Sequence, residues 1–401
     1  MTRFIEFVIA FLMVVALFVI VGVFLPSHRH VEHTVETNHP IRQVYDFLNG
    51  FQRFKDWNQM RAHDPRVQYT IEGPRRGEGA RLRYNSWDKR VGKGTWTITR
   101  SDEDAAIRID VDNDDYGTDK TYQIDLEEKI GSTSVAVVNI TMGYDVDYGW
   151  NLFGRYAGLY LSRNIGDDIE AGLNNIVDVL ATMPNFDYSY LDIAEVTVQP
   201  MNVLHLETKS KRVIMEVYGA LLMASRELIK QAEQNDLEIT GPVRLVTINF
   251  GDSEYKFAVE LPVGEKSAAS NDDVAEEAAD EEAGMDGMDE ESVAPDDALM
   301  AGMAIEPVAP LPELDLPENI TAQVSYGGRA IRANVEGDSP ARLNIVRESL
   351  RSYAMANGLT ANGYPFEDYL QEITDVIPEF GDYKVYWPIV DPDAAGAQQS
   401  Q

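Results

Sequence analysis

Two carboxylates stand out among the residues that could do chemistry. Glu260 sits in the apolar run Phe257-Ala258-Val259-Glu260-Leu261-Pro262-Val263, and Glu379 shortly precedes the run Tyr383-Lys384-Val385-Tyr386-Trp387-Pro388-Ile389. A carboxylate inside an apolar strand either faces solvent or is kept there for a purpose. On a strand Glu260 shares a face with Ala258 and Pro262, and Tyr386 points away from its neighbour Trp387. A semi-buried carboxylate beside aromatic rings suits a cation, because ring faces attract one by about 0.5–2 kcal/mol. Tyr386, Tyr218 and Tyr369 are the rings available to such a cleft. The plainer alternatives stay open: an exposed face for Glu260, a loop acid for Glu379, and core packing for Tyr218 and Tyr369.

Reactive constellations are missing. The chain has no G-x-S-x-G, no H-E-x-x-H, no P-loop and no G-x-G-x-x-G after a strand. It has no Cys, which removes disulfides, thiolate metal sites and a Cys nucleophile. Five of the six His precede residue 64. His28, His30 and His33 have a spacing that could hold zinc, but no acidic or Cys partner is placed with them, so they read as a polar cluster. His205, between Leu204 and Leu206, reads as a core or edge histidine. No catalytic residue, metal or cofactor is assigned.

The formal charge of −33 over 401 residues argues against nucleic acid and against anionic headgroups as partners, since both call for a basic face. Phe7 to Leu25 is an uncharged, apolar run of 19 residues ending at Pro26. At about 1.5 Å per residue it covers the roughly 30 Å hydrocarbon core. The n-region is only Met1-Thr2-Arg3, and Leu25-Pro26-Ser27-His28-Arg29 offers no small-residue cleavage site. The expectation is an uncleaved single-pass anchor over 4–26, in a bacterial inner membrane, with the bulk of the chain in the periplasm.

The elements after the anchor must position the site residues. Residues 28–37 alternate Val with polar residues, a strand signal. Helical spacing then links Ile41, Val44, Tyr45, Phe47 and Leu48, and a second short helix carries Phe51, Phe54 and Trp57. Six strands come next, from Val67 to Gly143, and one long helix is expected over Leu152–Ala181. A curved antiparallel sheet with a helix across it encloses a cavity, which Trp87, Trp96, Phe153, Tyr156 and Tyr160 could line. This order, with Pro40-Ile41-Arg42-Gln43-Val44-Tyr45-Asp46-Phe47-Leu48, resembles the START/polyketide-cyclase-like (SRPBCC, helix-grip) superfamily over 28–184. The resemblance implies a hydrophobic cavity for a lipid, polyketide or other apolar ligand, and few catalytic residues to carry over.

Residues 190–264 and 319–391 read as two halves of one domain. The first predicts a strand at Glu195–Leu206, a helix at Val213–Gln234 and strands at Val243–Phe250 and Tyr255–Val263. The second predicts strands at Thr321–Tyr326 and Ile331–Val335, a helix at Ala341–Asn357, a loop with Pro365 and a strand at Tyr383–Val390. Leu237-Glu238-Ile239-Thr240-Gly241-Pro242 matches Leu359-Thr360-Ala361-Asn362-Gly363-Tyr364-Pro365. The second half, through Gly337-Asp338-Ser339-Pro340, Asn362-Gly363-Tyr364-Pro365-Phe366-Glu367-Asp368-Tyr369 and the Tyr383–Ile389 run, resembles the GyrI-like effector-binding domain. That resemblance implies binding of small, often cationic or amphiphilic, organic molecules in an aromatic cleft with a central carboxylate. Some relatives act on reactive small molecules as hydrolases.

Between the halves, Glu265 to Glu318 holds eighteen Asp or Glu and one Lys, about half of the total charge. Such a run cannot bury enough apolar surface to offset its chain entropy and is expected to be a disordered spacer. The sequence therefore predicts an α+β chain: a transmembrane helix, a helix-grip domain and a duplicated β-α-β-β domain interrupted by an acidic linker. The function expected is binding of a small organic or amphiphilic ligand by a sensor or carrier held to the lipid bilayer. A cyclase-like or hydrolase-like enzyme and a structural envelope protein are the alternatives; protein partners are not indicated.

Overall fold

A computed structural model describes residues 2–130, 136–251, 253–266 and 304–390. The chain is α+β, with large antiparallel sheets and one apolar N-terminal helix. It divides into two compact units, Met1–Tyr190 with Arg351–Leu359, and Leu191–Leu350 with Thr360–Gln401. Most of the expected spacer, 267–303, lies outside the described residues.

The first unit opens with α1 (Thr2–Phe24), whose length and composition suffice to cross a membrane, a property that anchors and signal sequences share. Then come β1 (His28–Thr37), α2 (Ile41–Leu48), α3 (Phe54–Trp57) and α4 (Met60–His63). The antiparallel strands are β2 (Gln68–Glu72), β3 (Arg81–Asn85), β4 (Lys93–Asp102), β5 (Ala106–Asn113), β6 (Thr118–Ile130) and β7 (Ala136–Asp147). They pair in the order β1-β7-β6-β5-β4-β3-β2. The first strand therefore closes on the last, with His28 opposite Asp147 and Thr37 opposite Val138. Period-two patterning buries Leu82 and Tyr84 on β3 and Ile107 and Ile109 on β5.

The helix expected over Leu152–Ala181 is broken. It runs as α5 (Leu152–Ala157), a 3₁₀ turn at Gly158–Tyr160, a π turn at Ser162–Gly166 and α6 (Asp167–Leu180). Gly154 and Gly158 seat against the Tyr148 ring, where a Cβ on either would come within 2.7 Å. Close packing needs glycine there, and glycine weakens the helix ladder. On α6 the 4-3-4 spacing of Ile169, Leu173, Ile176 and Leu180 carries the buried stripe onto the sheet.

The second unit contains β8 (Asp192–Val198), β9 (Asn202–Lys211), α7 (Ile214–Gln234), β10 (Leu237–Ile239), β11 (Val243–Phe250) and β12 (Glu254–Glu265). After the acidic segment come β13 (Ile320–Val324), β14 (Gly328–Asp338), α8 (Leu343–Ala356, of which Leu343–Leu350 falls in this unit and the rest in the first), β15 (Thr360–Ala361), β16 (Phe366–Tyr369) and β17 (Gly381–Val390). The strand expected at Glu195–Leu206 is two strands, because Pro200 interrupts it and cannot donate to a ladder. The sheet order is β13-β9-β12-β11-β16-β17-β14-β8, with β10 on β12 and β15 on β17. Strand β16 falls where a loop was expected. Its four residues are all buried, so it shows no polar–apolar alternation.

Candidate functional site

Register sorts the second unit's side chains onto two faces, since residues paired across strands share a face. One row runs Val259, Leu245, Glu367, Val385 and Ala333. The next row, on the opposite face, runs His205, Glu260, Arg244, Asp368 and Lys384.

The Glu367 face holds a pocket of about 270 Å³, lined by the sheet residues Leu245, Tyr255, Glu367 and Tyr369, by Ile214 and Val217 of α7, and by Arg347 of α8. Glu367 is 1% exposed, and Arg347 Nη1 stands 3.6 Å from its Oε1. The same guanidinium donates to Tyr255 OH at 2.8 Å and to Thr247 Oγ1, and these two hydroxyls bond each other at 2.7 Å. Glu367 Oε2 has no hydrogen-bond partner among the described residues. Arg212 at the rim lies 3.9 Å over the Phe250 ring.

The electrostatics follow from burial. Desolvation pushes the Glu367 carboxyl up to about 7, although Arg347 pulls it down. Burial works against the Arg347 cation, but Glu367 and Tyr255 outweigh it, and its pKa lies above the ordinary arginine value. The guanidinium therefore stays charged and the carboxyl is the group that yields. Burial, helped by the Glu367 charge, pushes the Tyr255 phenol up to about 12 and that of Tyr369 well above its ordinary value. Near neutral pH the pocket holds a fixed cation, neutral phenols and one carboxyl able to gain or lose a proton.

The residues singled out in the sequence are only partly brought together. Tyr369 lines the pocket. Glu260 and Tyr386 lie on the opposite face. There Glu260 Oε1 is 3.1 Å from His205 Nδ1 and accepts from Gln323 Nε2 at 3.4 Å. Tyr386 stacks on Phe366 at 4.7 Å, and Arg244 makes two bonds to Asp368, at 2.7 and 3.2 Å. Glu379 is exposed, and Tyr218 is buried on α7 outside the pocket lining. Glu367 stands in the sequence only as one member of the Asn362–Tyr369 motif; Phe366-Glu367-Asp368-Tyr369 has neither an alternating nor an apolar pattern to mark its strand.

The first unit contains a cavity of about 100 Å³ walled by Trp57, Trp96, Tyr122, Met142 and Tyr144. Its interior is mostly filled by rings: Trp96 stacks on Tyr122 at 4.5 Å, and Tyr122 meets Tyr144 at 4.8 Å. His63 Nε2 and Asp168 Oδ1, 2.9 Å apart, also line it. Trp96 is buried and lines this cavity. Trp87 is 92% exposed, in the turn between β3 and β4, and Tyr156 stacks on Phe18 of α1 instead. Phe153 and Tyr160 are exposed as well.

No protein-family model and no curated protein matches the sequence. Among solved structures, the EcmrR C-terminal domain is similar at 10% identity, over 50% of this chain and 98% of that one, with a TM-score of 0.32. The Zhui aromatase/cyclase from Streptomyces sp. R1128 is similar at 19% identity, over 38% and 92%, with a TM-score of 0.28. A Thermobifida fusca protein solved by NMR is similar at 16% identity, over 37% and 90%, with a TM-score of 0.29. Likeness at this level assigns no function.

Proposed function

We propose that the chain is a membrane-anchored binding protein for small organic amphiphiles, a sensor or carrier, with the Glu367 pocket as its principal site. The observation that carries this reading is Glu367 Oε2, a fully buried oxygen without a partner among the described residues, in a pocket of about 270 Å³. Ligand sites are mostly apolar with a few placed polar groups, and this pocket fits that description. The occupant that suits it offers a donor or cation to Glu367, an apolar body to Phe250 and Tyr255, and an acceptor to Arg212 at the rim. The interior of the first unit takes a guest of a few heavy atoms at most, so the larger ligand is placed in the second unit.

The wider reading goes with it: α1 as the anchor, the bulk of the chain periplasmic, a helix-grip domain over 28–184, and a duplicated domain over 190–264 and 319–391. Advancing each strand number from β8–β12 by five maps the sheet order onto itself reversed, which is what duplication would produce. Glu260, Tyr386, Tyr218 and Glu379 remain outside the proposed site, and Trp96 belongs to the smaller cavity.

The test is calorimetric titration of the full chain in detergent with a panel of amphiphilic amines and zwitterions. Saturable binding is expected, weakened tenfold or more by Glu367→Gln. Binding that Glu367→Gln leaves unchanged, or no saturable ligand in the panel, would refute the assignment.

A second reading, hydrolysis, starts from the same buried, unpartnered carboxylate oxygen in the pocket: desolvation raises the Glu367 carboxyl to about 7, which suits general-base work at neutral pH. Turnover of an ester panel, lost about 10²–10⁴-fold in Glu367→Gln, would mark an enzyme. Saturable binding with no turnover above the chemical background marks a binder.

A further inference from the structure

The sequence Trp150-Asn151-Leu152-Phe153-Gly154-Arg155-Tyr156-Ala157-Gly158-Leu159-Tyr160 is apolar and aromatic, yet much of it is not in the core. Trp150 is 81% exposed, Phe153 67%, Leu159 53% and Tyr160 60%. Soluble surfaces seldom gather such residues, and a contiguous patch marks an interaction site.

The neighbours of the patch indicate its partner. Tyr156 stacks on Phe18 of α1 at 4.4 Å and donates its hydroxyl to the Phe18 carbonyl at 2.9 Å. Phe153 meets the same ring at 5.4 Å. Arg155 Nη1 donates to the carbonyls of Val23 and Leu25, at 2.9 and 3.1 Å. A cation there satisfies carbonyls that the end of a helix leaves open and complements its dipole. Gly22 gives α5 room, since a Cβ on it would meet Leu152 and Tyr156 at 3.2 Å. The segment is thus bonded along the last two turns of α1 and the residue beyond them, from Phe18 to Leu25. At about 1.5 Å per residue those seven steps descend roughly 10 Å.

We infer that residues 150–160 form a second membrane contact, lying in the plane of the bilayer interface against the emerging end of α1. The inference rests on α1 being an anchor. With α1 in the hydrocarbon, a segment fixed from Phe18 to Leu25 occupies the headgroup–acyl boundary, where in-plane helices sit about 5–10 Å deep and Trp and Tyr concentrate. The charge of −33 makes zwitterionic lipid the appropriate surface. A bound interface would hold β1 and β7 by their His28–Asp147 ends, leaving the Thr37–Val138 ends distal.

With no native Cys, single spin labels test this in the full chain reconstituted in phosphatidylcholine vesicles. Labels at Phe153→Cys and Leu159→Cys should collide more with oxygen than with a water-soluble nickel complex. Glu128→Cys, paired with Val138 at the far end of the sheet, should do the reverse. Val15→Cys reports on α1 alone. Lipid exposure at Val15 with water exposure at 153 and 159 overturns the inference and leaves the anchor standing. Water exposure at Val15 overturns both. Loss of nickel collisions at 153 and 159 without a gain in oxygen collisions means burial against protein, such as a second copy, and also overturns it. Because labels can perturb packing, brominated lipid provides a second measurement: wild-type tryptophan emission should be quenched more than that of Trp150→Phe, and equal quenching counts against the contact.

Discussion

Arg347 Nη1 stands 3.6 Å from Glu367 Oε1, and the two side chains are only 10% and 2% exposed. Removing one member of such a pair strands the other charge in a poor solvent. Arg347→Met is expected to cost about 3–5 kcal/mol in denaturant unfolding. The double variant Arg347→Met/Glu367→Leu should cost clearly less than the sum of its two single changes. Additive losses would mean the pair is not coupled.

The same carboxyl makes stability depend on pH. Its pKa is about 7 in the folded chain against 4.5 for an ordinary glutamate. A proton is therefore held more tightly in the folded state, and the associated stability is full below about 4.5 and lost as pH rises through 7. From pH 5 to 8 the wild type should lose about 2–3 kcal/mol that Glu367→Gln does not lose. Parallel stability curves for the two proteins would place the carboxyl in an ordinary environment.

Ligand binding should move that proton. A cationic group brought against Glu367 Oε2 favours the ionised form, so binding near pH 7 should release up to one proton. The heat of binding should then vary with the ionisation enthalpy of the buffer, and the variation should vanish in Glu367→Gln. A buffer-independent heat in the wild type would argue for a neutral group at that oxygen.

Glu260 provides the contrast, because register puts it on the other face of the sheet, bonded to His205 and Gln323. Glu260→Gln should change stability by about 1 kcal/mol and leave affinity for the pocket ligand alone. A large affinity loss there would relocate the site.

In the first unit, Gly158 lies where a side chain would strike the Tyr148 ring. Gly158→Val should cost about 1–3 kcal/mol through overpacking, read as a lower denaturant midpoint. An unchanged midpoint would mean that Tyr148 moves aside freely.

Much of the secondary structure is legible in the sequence because its patterns are local. The alternation of Val31 and Val35 with polar neighbours marks β1, and the apolar spacing through Leu173, Ile176 and Leu180 marks α6. The breaks are harder. Gly158 stands where α5 ends, and what requires glycine there is Tyr148, a contact that spacing along the chain does not reveal. For the candidate site, spacing points to a carboxylate on the other face of the sheet from the Glu367 pocket. Glu260 has an apolar strand on both sides and attracts notice. Glu367 belongs to a four-residue strand whose burial on both faces erases the period-two signal, and its face is set by pairing with Leu245 and Val385, which are distant in sequence. Tyr369 lies two residues from Glu367 and so shares its face, which is why a ring picked from the sequence lines the pocket.

Strand order in the second unit ties together two stretches of chain that are far apart in sequence. Strand β13 borders β9, β16 borders β11, and β14 borders β8, so three ladders stitch the stretch before the acidic run to the stretch after it. The covalent path through residues 267–303 is redundant for holding that sheet together. A protease nick there should yield two fragments that co-purify under native conditions and part only in denaturant. The run is accordingly free to lengthen, shorten or exchange its composition without any strand losing its neighbour.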